Sequence, residues 1–177
     1  MSKFEELCYA YNYAHNQMSE YLEACVQFIQ DLIAGMEVYL ECPDKRIQHK
    51  NKMGEETSLK ESMYLENEFW HFNTEITMCK ETAYRRRAIS FARCYYPRQT
   101  ILLPFIMKRV TADLFVVGID SYPEQFTIDV SDRSSFEAFY EFVFESIQTY
   151  YKNIFQLIME HNESPKEIQL KYVENRF

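Results

Sequence analysis

The chain has 177 residues, of which 47% are hydrophobic and 16% aromatic, and its formal net charge is −8. This length and apolar content suffice for one domain with a sizeable core, and they exclude disorder of the whole chain. Only three glycines are present, which excludes the glycine-rich phosphate cradles of P-loop, Rossmann and kinase-type nucleotide sites. We therefore expect a single domain over residues 1–177, and no motif predicts a cofactor or a metal.

The cysteines and the lack of long apolar runs indicate the compartment. The five cysteines form an odd set without a CxxC pair, a pattern typical of free thiols in a reducing cytoplasm. No run approaches 18 consecutive apolar residues, and the first residues lack the basic-then-apolar layout of a signal peptide. We expect a soluble cytoplasmic protein with no membrane association.

The first forty residues carry the strongest pattern in the chain. Eleven residues follow one another at alternating intervals of 4 and 3: Phe4, Cys8, Tyr11, His15, Met18, Leu22, Cys25, Ile29, Leu32, Met36 and Tyr39. Residues spaced in this way share one face of an α-helix, so the pattern predicts a long helix over 3–41. We call this set the 4–39 stripe. The helix is about 55 Å long at 1.5 Å per residue, so its stripe has to meet another long helix, in this chain or in a second copy.

Pro43 ends the first helix, because the residue before a proline avoids the helical region. Residues 43–57 contain almost nothing to bury, which predicts a mobile, solvated loop. The capping-box spacing of Ser58 and Glu61 then favours a short helix near 59–67.

Between residues 69 and 130 the period changes from 3.5 to 2. Trp70, Phe72, Thr74, Ile76 and Met78 alternate with more polar neighbours, which predicts a half-buried strand. Four further strands are predicted over 87–96, 101–110, 114–119 and 126–130. Short turns between consecutive strands favour an antiparallel meander. A proline at position 104 cannot donate to a central ladder, so it predicts an edge or a bulge there.

A second long helix is predicted over 134–161, with Asp132 or Ser134 as its cap. Its apolar side chains cover more than one face, so we expect contact with both the sheet and the first helix. An antiparallel arrangement of the two helices would place Tyr39 near Phe136. It would also place the stripe histidine at 15 near His161. A serine and proline at 164–165 predict a short helix over 165–173.

Together these elements predict an α+β fold. A long N-terminal helix, a five-stranded antiparallel meander and a long C-terminal helix form it, with the helices packed together on one face of the sheet. The stripe is longer than a second helix of roughly 28 residues can cover. This mismatch predicts a homodimer through the 4–39 heptad seam or its exposed end.

The charge is segregated along the chain. Eight basic residues and one acidic residue lie between Lys80 and Ala112, a net charge of +7, so the remaining residues carry −15. Candidate ligand-binding residues on the predicted strand and just before and after it are Arg85, Arg87, Arg93, Tyr95 and Arg98. Arginines interleaved with aromatic residues suit an anionic small molecule or a nucleotide. Nucleic acid is disfavoured, because the negative charge elsewhere repels a polyanion.

A structural alternative exists for the same arginines. Ile89 and Phe91 lie between them with the same parity, which places the middle of that strand face in the core. The arginines at its two ends would then pair with helix acids such as Glu137, Glu141 and Glu145.

Catalytic candidates are few. His71 and Glu75 share the polar side of the first strand, but they are about 13 Å apart along it and cannot form an acid–base pair directly. Cys79 and Cys94 are possible nucleophiles, although nothing in their spacing distinguishes them from small buried thiols.

The leading functional hypothesis is a small non-enzymatic interaction or regulatory protein: a partner-binder, an inhibitor or an adaptor, with a protein or a second copy as its partner. The alternative is a sensor of an anionic small molecule or nucleotide through the basic strand 85–98. An enzyme using His71, Glu75 or Cys94 is the third hypothesis.

Overall fold

The computed structural model of the chain describes residues 2–43, 46–78, 100–120 and 122–159. These residues form an antiparallel sheet with two long helices against one of its faces, which confirms the predicted α+β fold. The predicted strand over 87–96 and the predicted short helix over 165–173 lie outside the described residues.

The elements follow one another as α1 (Lys3–Tyr39), β1 (Ile47–Lys50), α2 (Leu59–Ser62), β2 (Tyr64–Glu66), β3 (Phe69–Thr77), β4 (Thr100–Arg109), β5 (Leu114–Ile119), β6 (Gln125–Asp129) and α3 (Ser134–Met159). Among the described residues the sheet has six strands in the order β1-β3-β4-β5-β6, and β2 pairs with β3 beside β1. Every pairing is antiparallel. β3 to β6 form a four-stranded meander in which β3 pairs directly with β4, whereas the predicted five-stranded meander placed a further strand between these two.

The segment 43–57, predicted as a loop, contains the edge strand β1. Four residues with little apolar content give no periodic signal, but β3 supplies the hydrogen-bonding partners over Asn73–Ile76. A tight turn follows, in which the Asn51 side chain accepts hydrogen bonds from the backbone N–H groups of Met53 and Glu55, at 2.9 and 3.0 Å. The helix predicted near 59–67 is also shorter than expected, because its last residues form β2 instead.

Pro104 lies inside β4, between β3 and β5, rather than at an edge or a bulge. Its carbonyl accepts a hydrogen bond from the N–H of Asp120 at 2.6 Å, so the backbone of Pro104 faces the β5 side. The pairing of β4 with β5 has already ended at this point, because its last pair is Phe105 with Ile119. The missing proline N–H therefore removes no ladder bond to β3.

The core lies between the inner face of the sheet and the two helices. Alternate residues of β4 point into it and are almost fully buried, among them Leu103, Phe105 and Met107. The Phe105 ring lies 5.7 Å from that of Phe139 on α3. On the α1 side, the ring of Phe28 stacks on Phe115 of β5 with centres 3.9 Å apart. Aromatic contacts thus attach both helices to the same sheet face.

Contacts between α1 and α3 advance in the same direction along both helices. The rings of Phe28 and Phe136 lie 6.2 Å apart, and one turn later the Tyr140 hydroxyl donates to the Leu32 carbonyl at 3.1 Å. The helices are therefore not antiparallel, the arrangement that would have placed Tyr39 near Phe136. Apolar periodicity identifies the face that a helix buries, but the direction of the helix depends on where the chain enters and leaves the sheet.

Gly35 allows the close approach of Tyr140 to α1. A Cβ at position 35 would lie 2.2 Å from the Tyr140 hydroxyl oxygen and 3.0 Å from its ring carbon Cζ. The ring is buried, and burial raises the pKa of Tyr140 to about 12. This position therefore requires glycine because of space and not because of backbone conformation.

We expect Gly35→Ala to lower the free energy of unfolding by about 1–3 kcal/mol, because the added methyl group overpacks the contact. Helix propensity alone favours alanine over glycine and would raise the free energy of unfolding by about 1 kcal/mol. Urea denaturation of Gly35→Ala, Tyr140→Phe and the double variant checks this. The double variant should recover part of the loss, and a stabilised Gly35→Ala protein would contradict the contact.

His49 of β1 generates a pH-dependent prediction. Burial lowers the pKa of this imidazole, and its Nδ1 lies 3.4 Å from the Thr74 hydroxyl. The unfolded chain then binds a proton more readily than the folded one. The contribution of His49 to folding stability is fully present above its pKa in the unfolded chain, about 6.5. It is lost as the pH falls towards the lower pKa of the folded protein.

The melting temperature should therefore fall more steeply between neutral and mildly acidic pH in the wild type than in His49→Gln. Thermal melts across this pH range measure the difference. Equal slopes for the two proteins would show that the imidazole is not buried in its neutral form.

Candidate functional site

The 4–39 stripe is buried in its second half only. Cys25, Ile29, Leu32 and Met36 are almost completely inaccessible to solvent, whereas every residue from 2 to 20 is exposed. We call residues 3–20 the projecting segment. At 1.5 Å per residue it extends about 27 Å beyond the body formed by the sheet and the buried helices.

The projecting segment exposes many large apolar side chains. Their exposed fractions are 72% for Phe4, 69% for Leu7, 70% for Tyr9, 68% for Tyr11, 62% for Tyr13 and 58% for Met18. Single exposed apolar residues are ordinary on protein surfaces, whereas a contiguous set of this kind is typical of a surface that contacts a protein, a membrane or a ligand.

Local interactions favour the helical state of this segment. Ser2 and Glu5 form a reciprocal capping box, in which the Ser2 hydroxyl accepts from the Glu5 N–H at 3.2 Å. Glu5 and Glu6 in the first turn also complement the positive end of the helix dipole. The rings of Tyr11 and His15, one turn apart, stack with centres 5.9 Å apart. The segment is therefore a defined helical surface attached to a packed helix.

A cluster of mixed polarity lies where α1 leaves the body. The guanidinium of Arg109 lies 5.8 Å from the ring centre of Tyr21 and donates to the Thr111 carbonyl at 3.0 Å. Burial raises the pKa of the Tyr21 phenol and of the Cys25 thiol, which contact each other. The indole N–H of Trp70 lies beside the Tyr21 hydroxyl without well-formed hydrogen-bond geometry. This cluster contacts α1 at the point where the projecting segment leaves the body.

The candidate ligand-binding residues of the basic strand, Arg85, Arg87, Arg93, Tyr95 and Arg98, lie outside the described residues. Two members of the same basic block are described, and both have internal partners. Lys108 pairs with Glu68 at 2.6 Å, and Arg109 belongs to the cluster above. Glu141, one of the helix acids considered as a partner for the arginines, accepts a hydrogen bond from Tyr39. The anionic-ligand hypothesis remains a prediction.

The structure gives His71 and Glu75 different partners. His71 stacks on Tyr64 with ring centres 5.1 Å apart, and its Nε2 lies 3.2 Å from the Glu66 carbonyl. Glu75 forms a largely buried ion pair with Lys50 at 3.3 Å. Both residues thus support the edge formed by β1 and β2. Cys79, Cys94 and His161 lie outside the described residues, and the part of the chain that is described contains no group of three or more metal-ligating side chains.

Sequence reasoning identified the stripe but not which half of it is covered. It also missed Leu7, Tyr9 and Tyr13, which lie off the stripe. A signal for them was present, because large apolar residues on several faces of one short segment are unusual in a helix with a single packed side.

No family model, curated protein or solved structure matches this chain. Functional inference therefore depends on the residues themselves. Within the described ranges, no helix combines the length and the apolar content needed to cross a membrane.

Thiol reactivity tests whether the first half of the stripe is exposed and the second half buried. Cys8 is exposed on the projecting segment and Cys25 is buried, with its pKa raised by that burial. In dilute protein, iodoacetamide should alkylate Cys8 at the rate of a free thiol and Cys25 only slowly. Peptide mass spectrometry over a time course measures both rates, and equally slow alkylation of Cys8 would contradict its exposure.

Proposed function

We propose that this protein is a non-enzymatic interaction protein, a regulator or adaptor, whose projecting segment binds an apolar face of an α-helix in a protein partner. The exposure of Phe4, Tyr11 and Met18 on one face of a capped helix carries the proposal. Apolar anchors at intervals of three and four residues are the pattern by which helices recognise other helices.

The shape of the molecule supports this role. The buried half of α1 is fixed by Phe28 and Leu32 on the body, so the projecting segment is presented in a defined direction. Preorganisation of this kind lowers the entropy lost on binding. Aromatic side chains are also the residues most often found at the energetic centres of interfaces.

A cytoplasmic location is part of the proposal. Cys8, Cys25 and Cys42 are free thiols, which suits a reducing compartment. The exposed Cys8 lies on the proposed binding surface itself, where an oxidising environment would expose it to disulfide formation.

Site-specific photo-crosslinking in the cells that express the protein tests the proposal. A photoreactive phenylalanine analogue replaces Tyr11 on the stripe or, as a matched control, Tyr13. The two tyrosines are similarly exposed, but they point to opposite sides of the helix. We expect a discrete crosslinked species from position 11 and little from position 13, with the partner and its crosslinked residue identified by mass spectrometry.

The crosslinked residue should lie on an apolar helix face of the partner, whether that partner is another protein or a second copy. Equal or absent crosslinking from the two positions would overturn the proposed function.

A further inference from the structure

We propose that the partner helix is the projecting segment of a second copy of this chain, packed antiparallel with the two-fold axis at the level of residue 13, on the stripe side of the helix. This inference rests on the proposed function and specifies its partner. Three properties of the segment support it: the symmetry of its stripe, the charges beside the stripe, and its length.

The stripe between Phe4 and Leu22 is symmetric about position 13. In an antiparallel pair, a residue some distance before the axis meets the residue the same distance after it on the other helix. Stripe residues that form such equidistant pairs are Phe4 with Leu22, Cys8 with Met18, and Tyr11 with His15. Each stripe residue from 4 to 22 thus packs against a stripe residue of the other copy, and none of them is left without a partner across the helix pair.

Positions that flank the stripe avoid repulsion in this register. By the same rule Glu5 comes level with Tyr21, Leu7 with Ser19, and Asn12 with Ala14 next to the axis. No two like charges face each other at these positions, where charges decide helix pairing. Ala14 is small enough for a close approach of the helices at the centre.

The segment also has the right length for this pairing. The helix begins after its Ser2 cap, and Cys25 is the first fully buried residue of the stripe. With the axis at position 13, residue 2 of one copy reaches the level of residue 24 of the other. Each helix therefore covers the whole exposed stripe of its partner and ends where the partner's body begins.

The area is sufficient for a specific contact. A covered aromatic side chain buries about 150–250 Å². Two copies of Phe4 and Tyr11, together with the Met18 and Leu22 layers, bring the total near the roughly 1,000 Å² that a specific interface needs.

An antiparallel arrangement is favoured over a parallel one. The acidic first turn with Glu5 and Glu6 of each copy approaches the cluster that contains Arg109 in the other. Opposed helix dipoles also attract each other, whereas parallel helices place like ends together. Parallel pairing would further bring both bodies to the same end of the helix pair.

Disulfide trapping in the full-length protein tests the register. Cys8 and position 18 face each other across the antiparallel pair, whereas a parallel pair brings Cys8 opposite Cys8. We mix wild type with a tagged Cys8→Ser/Met18→Cys variant and add oxidised glutathione, which is reduced as each disulfide forms. The mixture should yield a heterodimer linked between residue 8 of one chain and residue 18 of the other, and neither protein alone should crosslink through these positions.

A Cys8→Ser/Asn16→Cys variant is the matched control, because position 16 lies off the stripe, and it should give little heterodimer. A Cys8–Cys8 disulfide in the wild type as the main product would overturn the antiparallel register.

Sedimentation velocity measures the self-association itself. Wild type should form a dimer at tens of micromolar. Tyr11→Glu, which buries two carboxylates in the central layers, should weaken the dimer by at least about tenfold. Tyr13→Glu, with the same chemistry on the opposite side of the helix, should change it by less than about twofold.

A monomeric wild type at these concentrations overturns the self-pairing, as does an unaltered Tyr11→Glu dimer. Crosslinking of position 11 to a different protein in cells, combined with a monomeric wild type, overturns the self-pairing and leaves the proposed function standing.

Discussion

The attachment of the second half of α1 to the sheet and to α3 is the constraint on which the rest of the structure depends. Phe28 stacks on Phe115, and Tyr140 reaches the Leu32 carbonyl over the bare backbone of Gly35. A ring stack and a buried hydrogen bond, one turn apart, fix both the rotation and the direction of the helix. Because an α-helix is stiff over this length, the buried half also determines where the projecting segment points.

One stripe therefore has two environments. From Cys25 to Met36 it fills the core, and from Phe4 to Met18 it meets solvent, although the alternating spacing of 4 and 3 does not change between the halves. The body is narrower than the helix is long, so a continuous apolar face has to extend past it. That extension gives the protein an apolar helical surface of defined shape, on which the proposed association depends.

Long periodic elements were predictable from the sequence, and short or context-dependent ones were not. The stripe and the alternation around Phe72 continue long enough for their period to be unambiguous. β1 has four residues, and its pairing depends on an open edge of β3 that is distant in sequence. Pro104 occupies an interior strand because β5 ends beside it, which no local pattern can indicate.

The sequence by itself determined the class of fold, the two long helices, the meander and the existence of an apolar stripe longer than its partners. These properties follow from the local periodicity of side chains along helices and strands. Only the tertiary structure decided which half of the stripe is covered, and that the contacts between α1 and α3 progress in the same direction. Coverage and direction depend on where distant segments lie in space, and residue spacing contains no information about that position.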